Sequence, residues 1–262
     1  MEKEKIVQSV ERALSIIEEL AKENGELGVT ELSYRLNLNK STVHRILSVL
    51  LKFKYVDKNP QTRKYRLGMK PLYLGGVILD RLDLRREAHD LLKRLAQEVN
   101  ETVHLVIPDN DMGLYIDKID SNQTFRMRSQ IGWYVPLHAT AVGKAILAFS
   151  PKEYVERIVS KGLKSYTENT ITDPKRLIEH LENVRKLGYA VDNEENEPGV
   201  RCVAAPIFDY RNKVIAALSI SGSVLTITNE RIPLLAKKAM EYASEISSRM
   251  GWRGSQFSAR RT

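Results

Sequence analysis

The 262-residue chain is 42% hydrophobic and 28% charged, a balance that excludes disorder over most of its length. Its single cysteine, Cys202, excludes an intrachain disulfide and a cysteine-rich zinc module. No stretch approaches the roughly 18–20 apolar residues of a membrane span, residues 1–5 lead into no apolar leader core, and a cytoplasmic location is expected.

The net charge of +8 is concentrated. Residues 30–70 hold ten Lys/Arg against two acids, whereas residues 71–252 hold 24 of each. A neutral body carrying one basic segment is the pattern of a nucleic-acid-binding module joined to something else; a solvated basic surface is the bland alternative.

In chain order, residues 6–23 place Val10, Leu14, Ile17 and Leu20 at helical spacing, and Asn24-Gly25 ends that helix. Thr30 is expected to cap a second helix over 31–36, with Leu32 and Leu36 on one face. A third helix is predicted over 40–53, with Val43, Ile46, Leu47 and Leu50 as its apolar stripe. Its other side carries Ser41, Thr42, His44, Arg45 and Ser48. Short strands at 55–56 and 65–67 flank a turn-rich basic tip.

Three helices and a basic hairpin make a winged helix-turn-helix, in which the third helix offers its polar face to the major groove. Ser41, Thr42 and Arg45 are candidates to read base edges, and Lys40 and Thr30 are placed to meet phosphates. Arg63, Lys64 and Arg66 of the wing can reach the backbone or minor groove, while His44 either touches DNA or is solvated.

Residues 71–100 read as helical, interrupted at Gly75-Gly76 and resuming from about 84 with Leu91, Leu92, Leu95 and Val99 as the apolar side. The apolar first part is either a linker and dimer contact or an internal core helix. From 101 onward the texture is mixed. Strands are expected at 102–107, 113–119, 125–131, 189–191, 200–208 and 214–221, and helices at 140–149, 153–159, 174–187 and 229–250.

A hairpin loop over 209–212 would pair Phe208 with Lys213, Cys202 with Ser219, and Val200 with Ser221. Cys202, Ser219 and Ser221 then share one face, because alternate strand residues share a side. Such a trio is either the floor of a small-ligand pocket or small filler in a tight core. In "PLHATAVGKAILAF", a loop with His138, Ala139, Thr140, Ala141 and Gly143 enters a helix whose first-turn amides suit a carboxylate. Asp192, Glu194, Glu195 and Glu197 cluster just before the Cys202 strand.

Two other chemistries are open to these residues. Cys202 as a nucleophile with His138 as base needs an exposed thiol on a turn or helix start, and Cys202 falls mid-strand, so no enzyme is expected. His104, His138 and Cys202 as zinc ligands have scattered spacing, and neither metal nor cofactor is expected.

The stretches "VTELSYRLNLNKSTVHRIL", "YRLG", "PLHATAVGKAILA", "GYAVDNEENEPGVRCVAAPIFD" and "AALSISG" resemble the IclR family of bacterial transcriptional regulators over residues 6–251. "YIDKIDSNQTFRMRSQIG" and "DNEENEPGVRC" are most similar to its ketodeoxygluconate (sugar-acid catabolism) repressor branch, which often has Tyr where this chain has His138.

The resemblance implies an α+β chain in four parts: a winged helix-turn-helix (1–68), a helical linker that dimerises (69–85), a GAF-like α/β effector domain (86–252) and a disordered tail (253–262). It further implies a homodimer or tetramer on a palindromic double-stranded DNA operator, released or retuned by a small keto acid or sugar acid. Activation of an aromatic-acid or acetate/glyoxylate pathway is the alternative. The effector positions it implies are His138, Ala139, Thr140, Ala141, Gly143, Asp192, Cys202, Ser219 and Ser221.

Overall fold

A computed structural model of the chain describes residues 7–22, 25–80, 83–122 and 127–254. They form two compact units, one up to residue 81 and one from residue 82 on. Among the described residues no helix is long and apolar enough to cross a membrane.

In the first unit, α1 (Gln8–Lys22), α2 (Val29–Arg35) and α3 (Lys40–Lys52) enclose Ile16, Leu20, Leu32, Val43, Leu47 and Leu50. The α3 stripe is therefore the expected one, with Ile46 at its edge. On α1 the stripe is rotated: Ile16 and Leu20 are buried, but Val10 and Leu14 remain 56% and 54% exposed. The apolar arc of α1 is wider than the face it packs into the core. The α2 cap also differs from expectation. Gly28 is the N-cap, its N–H donating to the Glu31 carboxylate at 2.5 Å, and Thr30 lies inside the helix. The N3 acid accepts the N-cap's own N–H, and glycine at the cap brings no side-chain acceptor to the first-turn amides.

The wing consists of β1 (Val56–Lys58) and β2 (Tyr65–Leu67), paired Val56↔Leu67 to Lys58↔Tyr65 and extended by a bridge from Leu27 to Tyr65. Next, α4 (Lys70–Asp80) runs straight through Gly75-Gly76 where an interruption was expected. Neither glycine adopts a positive φ, and glycine weakens a helix without ending it. Leu72, Tyr73 and Leu74 on α4 are exposed.

The second unit is a six-stranded antiparallel sheet between two helical layers. It comprises α5 (Asp83–Val99), β3 (Thr102–Asp109), β4 (Met112–Ile119), β5 (Tyr134–Pro136), α6 (Ala141–Ala148), α7 (Lys152–Ser160) and α8 (Pro174–Leu187), then β6 (Ala190–Asn193), β7 (Val200–Phe208), β8 (Val214–Ser223) and α9 (Ile232–Arg249). Strand order is β5-β4-β3-β8-β7-β6. On one face Val103, Leu105, Val203, Ala205, Leu218 and Ile220 pack with α5 and α9. On the other, Val106, Ala204 and Ala217 pack with α6 and α8.

Of the strand expected over 125–131, residues 125–126 lie outside the described residues and 127–131 are irregular; the strand forms later, as β5. Residue 6, residues 23–24 at the end of the first expected helix, and the tail from 255 also lie outside them.

A Cβ at Gly75 or Gly76 would meet nothing within 4 Å. Each glycine-to-alanine change should therefore stabilise α4 by about 1 kcal/mol, slowing amide exchange over residues 70–80. Faster exchange in either variant would show that α4 depends on a glycine there.

Candidate functional site

In the first unit, α3 buries Val43, Leu47 and Leu50 and leaves Lys40, Ser41, His44 and Arg45 exposed on the surface, with Thr42 half-buried. No partner among the described residues holds Arg45. The α3 geometry thus brings together the predicted base-reading set, whereas Thr30 belongs to the first turn of α2.

The wing is more selective than its charge count suggested. Asn59 accepts the Gln61 and Thr62 amides at 2.9 and 3.3 Å, closing the tip, and Asn59 and Thr62 both donate to Glu26. Glu26 also lies 3.7 Å from Arg66, and Glu31 lies 3.2 Å from Lys64. Two wing cations are therefore already facing acids. Arg63, exposed at φ 61°, has no partner among the described residues. The acids lie over thirty residues upstream of their wing partners, so local charge counting missed them.

In the second unit, β7 and β8 pair Cys202 with Ser221, Ala204 with Ser219 and Val200 with Ser223. The expected register was off by two, because the ladder shifts at Ile207/Phe208 and the turn takes up more chain. A two-residue slip preserves faces, whereas a one-residue slip would invert them. Cys202, Ser219 and Ser221 therefore do share a face, the one toward α6, and Asp192 on β6 stands opposite Cys202.

The sheet adds residues that were not anticipated in this role. His104 on β3 pairs with Ser219, and its Nδ1 lies 3.4 and 3.3 Å from the Ser219 and Ser221 hydroxyls. Its ring lies 4.9 Å from that of Tyr115. A bulge in the β3–β4 ladder, where Leu105 faces Asp117 and Val106 faces Tyr115, puts Lys118 opposite His104 on the same side. Burial, with Lys118 adding to it, holds the His104 imidazole down at about 3, so it is neutral.

The loop into α6 is built around Thr140. Its hydroxyl donates to the Pro136 carbonyl at 2.7 Å and accepts the Gly143 N–H at 3.2 Å, and its carbonyl accepts the Lys144 N–H. The Ala141 and Val142 amides have no acceptor among the described residues, leaving two donors at a positive helix end. Gly143 has a packing reason of its own: a Cβ there would overlap the Leu137 backbone. The His138 ring is turned to the Lys164 carbonyl, 2.9 Å from Nε2, and lies beside Tyr166.

Lys144, fully buried, forms an ion pair with Glu195, whose N–H donates to Asp192 at 2.8 Å. This ties α6 to the turn after β6. Burial pushes the Asp192 carboxyl up to about 7, against the opposing pull of Lys144 and of the Glu195 and Asn196 amides. Burial and then Asp192 also push the Cys202 thiol up, the reverse of what an activated nucleophile requires. Among the described residues no group of three or more His, Cys, Asp or Glu is placed to hold a metal ion. The face thus offers an uncharged imidazole, a thiol, two hydroxyls and a carboxyl raised to about 7, beside a helix N-terminus: chemistry that can bind a small acid.

Residues 76–248 match the family described as bacterial transcriptional regulator IclR C-terminal, and residues 9–60 match the IclR helix-turn-helix domain. The chain is 40% identical to the HTH-type transcriptional regulator KdgR of Escherichia coli over 94% of each chain. It is 34% identical to the transcriptional repressor IclR of the same species over 94% of this chain and 90% of that one. The crystal structure of Thermotoga maritima IclR superposes with a TM-score of 0.80 at 37% identity, covering 94% of this chain and 100% of that one.

Asp192 moves from an ordinary value of 3.8 in the unfolded chain to about 7 in the folded one. The folded state retains its proton across that window while the unfolded state loses it, so this contribution to stability falls as pH rises from 4 to 7. Asp192→Asn should remove the slope and, relative to wild type, gain up to about 4 kcal/mol between pH 4 and pH 8. Urea denaturation across that range checks this; parallel pH profiles for the two proteins would refute it.

Proposed function

The chain belongs to the IclR family of bacterial transcriptional regulators, and from that premise we propose that it is an acid-responsive repressor. In this reading α3 reads a palindromic operator as part of a homodimer or tetramer, and the α6-facing side of the sheet takes a small keto acid or sugar acid. The observation that carries the effector reading is the shared face of Asp192, Cys202, Ser219 and Ser221, with Cys202 partly exposed and the other three buried. The E. coli relative named as a repressor supports the direction of regulation.

The division of labour on DNA follows from exposure and pairing. Arg45, exposed and without a partner on the reading helix, suits a bidentate contact to guanine. Ser41 and Thr42 lie beside it, while Lys40, at the helix start, and Arg63, at the wing tip, suit phosphates. Lys64 can exchange Glu31 for a phosphate at little cost, since exposed ion pairs contribute only about 0–1 kcal/mol. The apolar residues left outward on α1 (Val10, Leu14) and α4 (Leu72, Tyr73) favour the dimer-contact reading of the linker.

On the effector side, a carboxylate would lie at the free Ala141 and Val142 amides, with Ala139 and Thr140 forming the wall. Hydroxyl or keto oxygens would meet Asp192, Ser219 and Ser221. Gly143 would act by letting the helix pack against Leu137. His138 would act from the loop, facing Lys164. The acid must bind the DNA-competent and DNA-incompetent states unequally, because equal affinity shifts nothing.

Fluorescence anisotropy on operator DNA should separate the roles. Arg45→Ala should relax base preference by about 1–3 kcal/mol at one position, and Arg63→Ala should weaken all sequences alike and lower the salt slope by about one. Unchanged base preference in Arg45→Ala would remove Arg45 from the reading set. For the effector, melting of the full chain with pyruvate, glyoxylate, ketodeoxygluconate and aromatic acids should show a dose-dependent rise for one class. That rise should be abolished by the Ser219→Ala, Ser221→Ala double variant; no rise with any acid would end the acid-sensor reading.

A further inference from the structure

His104 is the best-placed polar group in the second unit to which the proposed function gives no role. It is 1% exposed, in the middle of β3, opposite Ser219. A histidine in such a strand is costly to bury unless both ring nitrogens are satisfied. The two sides are satisfied very differently.

At Nδ1 the partners are loose. Ser219 and Ser221 hydroxyls stand 3.4 and 3.3 Å away and 3.2 Å from each other. All are longer than the roughly 2.7–2.8 Å usual for hydroxyl hydrogen bonds. At Nε2 the partner is tight: the Ser129 hydroxyl, at 2.7 Å. Ser129 belongs to no strand or helix. It is brought to His104 by Lys118, whose ammonium donates to the Met127 and Ser129 carbonyls, each at 2.9 Å, and faces Asp120. The tightest bond to a buried strand imidazole therefore comes from an irregular segment whose anchor is another side chain of the same sheet face.

We infer that His104 is a specificity-determining residue of the acid site, reading a ligand hydroxyl, and that Ser129 occupies that hydroxyl's place in the free protein. The imidazole is neutral and offers one donor and one acceptor, the complement of an alcohol rather than of a carboxylate. Lys118 is engaged with carbonyls and Asp120, and Lys144 with Glu195, so neither ammonium is available to an anion. The carboxylate end is thereby directed to the α6 amides and the hydroxyl end to His104, Ser219 and Ser221. This favours a polyhydroxylated acid over a compact apolar or aromatic one. The inference rests on the proposed acid site.

Isothermal titration of the full chain with 2-keto-3-deoxygluconate, gluconate and galacturonate, against 2-ketohexanoate and hexanoate, tests both. Wild type should prefer one of the hydroxylated acids. His104→Leu should weaken that acid by roughly tenfold and leave the unhydroxylated acids within about twofold. His104→Gln, which keeps a donor and an acceptor, should recover much of the loss and guards against misfolding in the leucine variant. Ser129→Ala should bind the hydroxylated acid about threefold more tightly, because no internal hydroxyl has to leave. If wild type binds no acid at all, the acid-site reading fails and this inference with it. If wild type discriminates but His104→Leu discriminates equally, or Ser129→Ala weakens binding, the inference fails while the acid site stands.

Discussion

The second unit depends on the two-residue alternation of β3, β7 and β8. One set of positions (Val103, Leu105, Val203, Ala205, Leu218, Ile220) is apolar and packs under α5 and α9. The intervening positions (His104, Cys202, Ser219, Ser221) look toward α6 and carry nearly all the polar chemistry. The apolar set fixes the register, because any odd slip would bury the serines under α9 and turn Leu218 and Ile220 toward α6. The polar set is thus held in place by residues that never touch a ligand. Besides the shift at Ile207/Phe208 near the β7–β8 turn, the ladder departs from alternation at the β4 bulge. The bulge puts Ile116 and Asp117 together on the α5 side, where Asp117 meets His89 at 2.6 Å, and so leaves Tyr115 and Lys118 both beside His104.

The Lys144–Glu195 pair plays a different part from the hydrophobic core. A fully buried ion pair is weak support for stability, since desolvation offsets much of the attraction. Its effect here is geometric. Lys144 belongs to the first turn and a half of α6, and Glu195 donates its amide to Asp192. The helix end that can meet a carboxylate and the carboxyl that can meet a hydroxyl are thereby fixed to each other. Gly143 serves the same purpose by allowing that turn to close on Leu137.

How far the sequence disclosed this follows from how local each feature is. The winged helix-turn-helix was legible because its stripe (Val43, Leu47, Leu50) and turns are set within a few residues. The Cys202, Ser219, Ser221 face was legible although the register was wrong by two, because face assignment depends only on parity. What was missed depends on distant partners: Ser129 on His104 across 25 residues, and Glu26 on Asn59 across 33. Gly28 as the α2 cap was missed because the capping oxygen came from Glu31 rather than from the residue at the cap. Strand β5 is three residues long and ends in proline, which leaves no periodicity to detect. Sequence alone offers His104 as a metal ligand, because it shows the imidazole but not the serines around it.

A site floored with neutral, buried hydrogen-bonding groups discriminates by what it leaves unpaired. Two amides at a helix end hold any carboxylate about equally well, so they supply affinity with little selectivity. In the proposed site an analogue lacking a hydroxyl forgoes the hydrogen bonds that a hydroxylated acid would make, a difference of about 0.5–1.5 kcal/mol for each, while Ser129 stays on the imidazole. In the proposed acid site, discrimination between acids of similar size would therefore reside in the strand side chains rather than in the helix end. On that proposal the fold could keep α6 and its loop unchanged while positions such as 104, 219 and 221 set which acid is recognised. Ser129 fits the same logic: its hydroxyl, 2.7 Å from Nε2, keeps that side of the buried imidazole hydrogen-bonded.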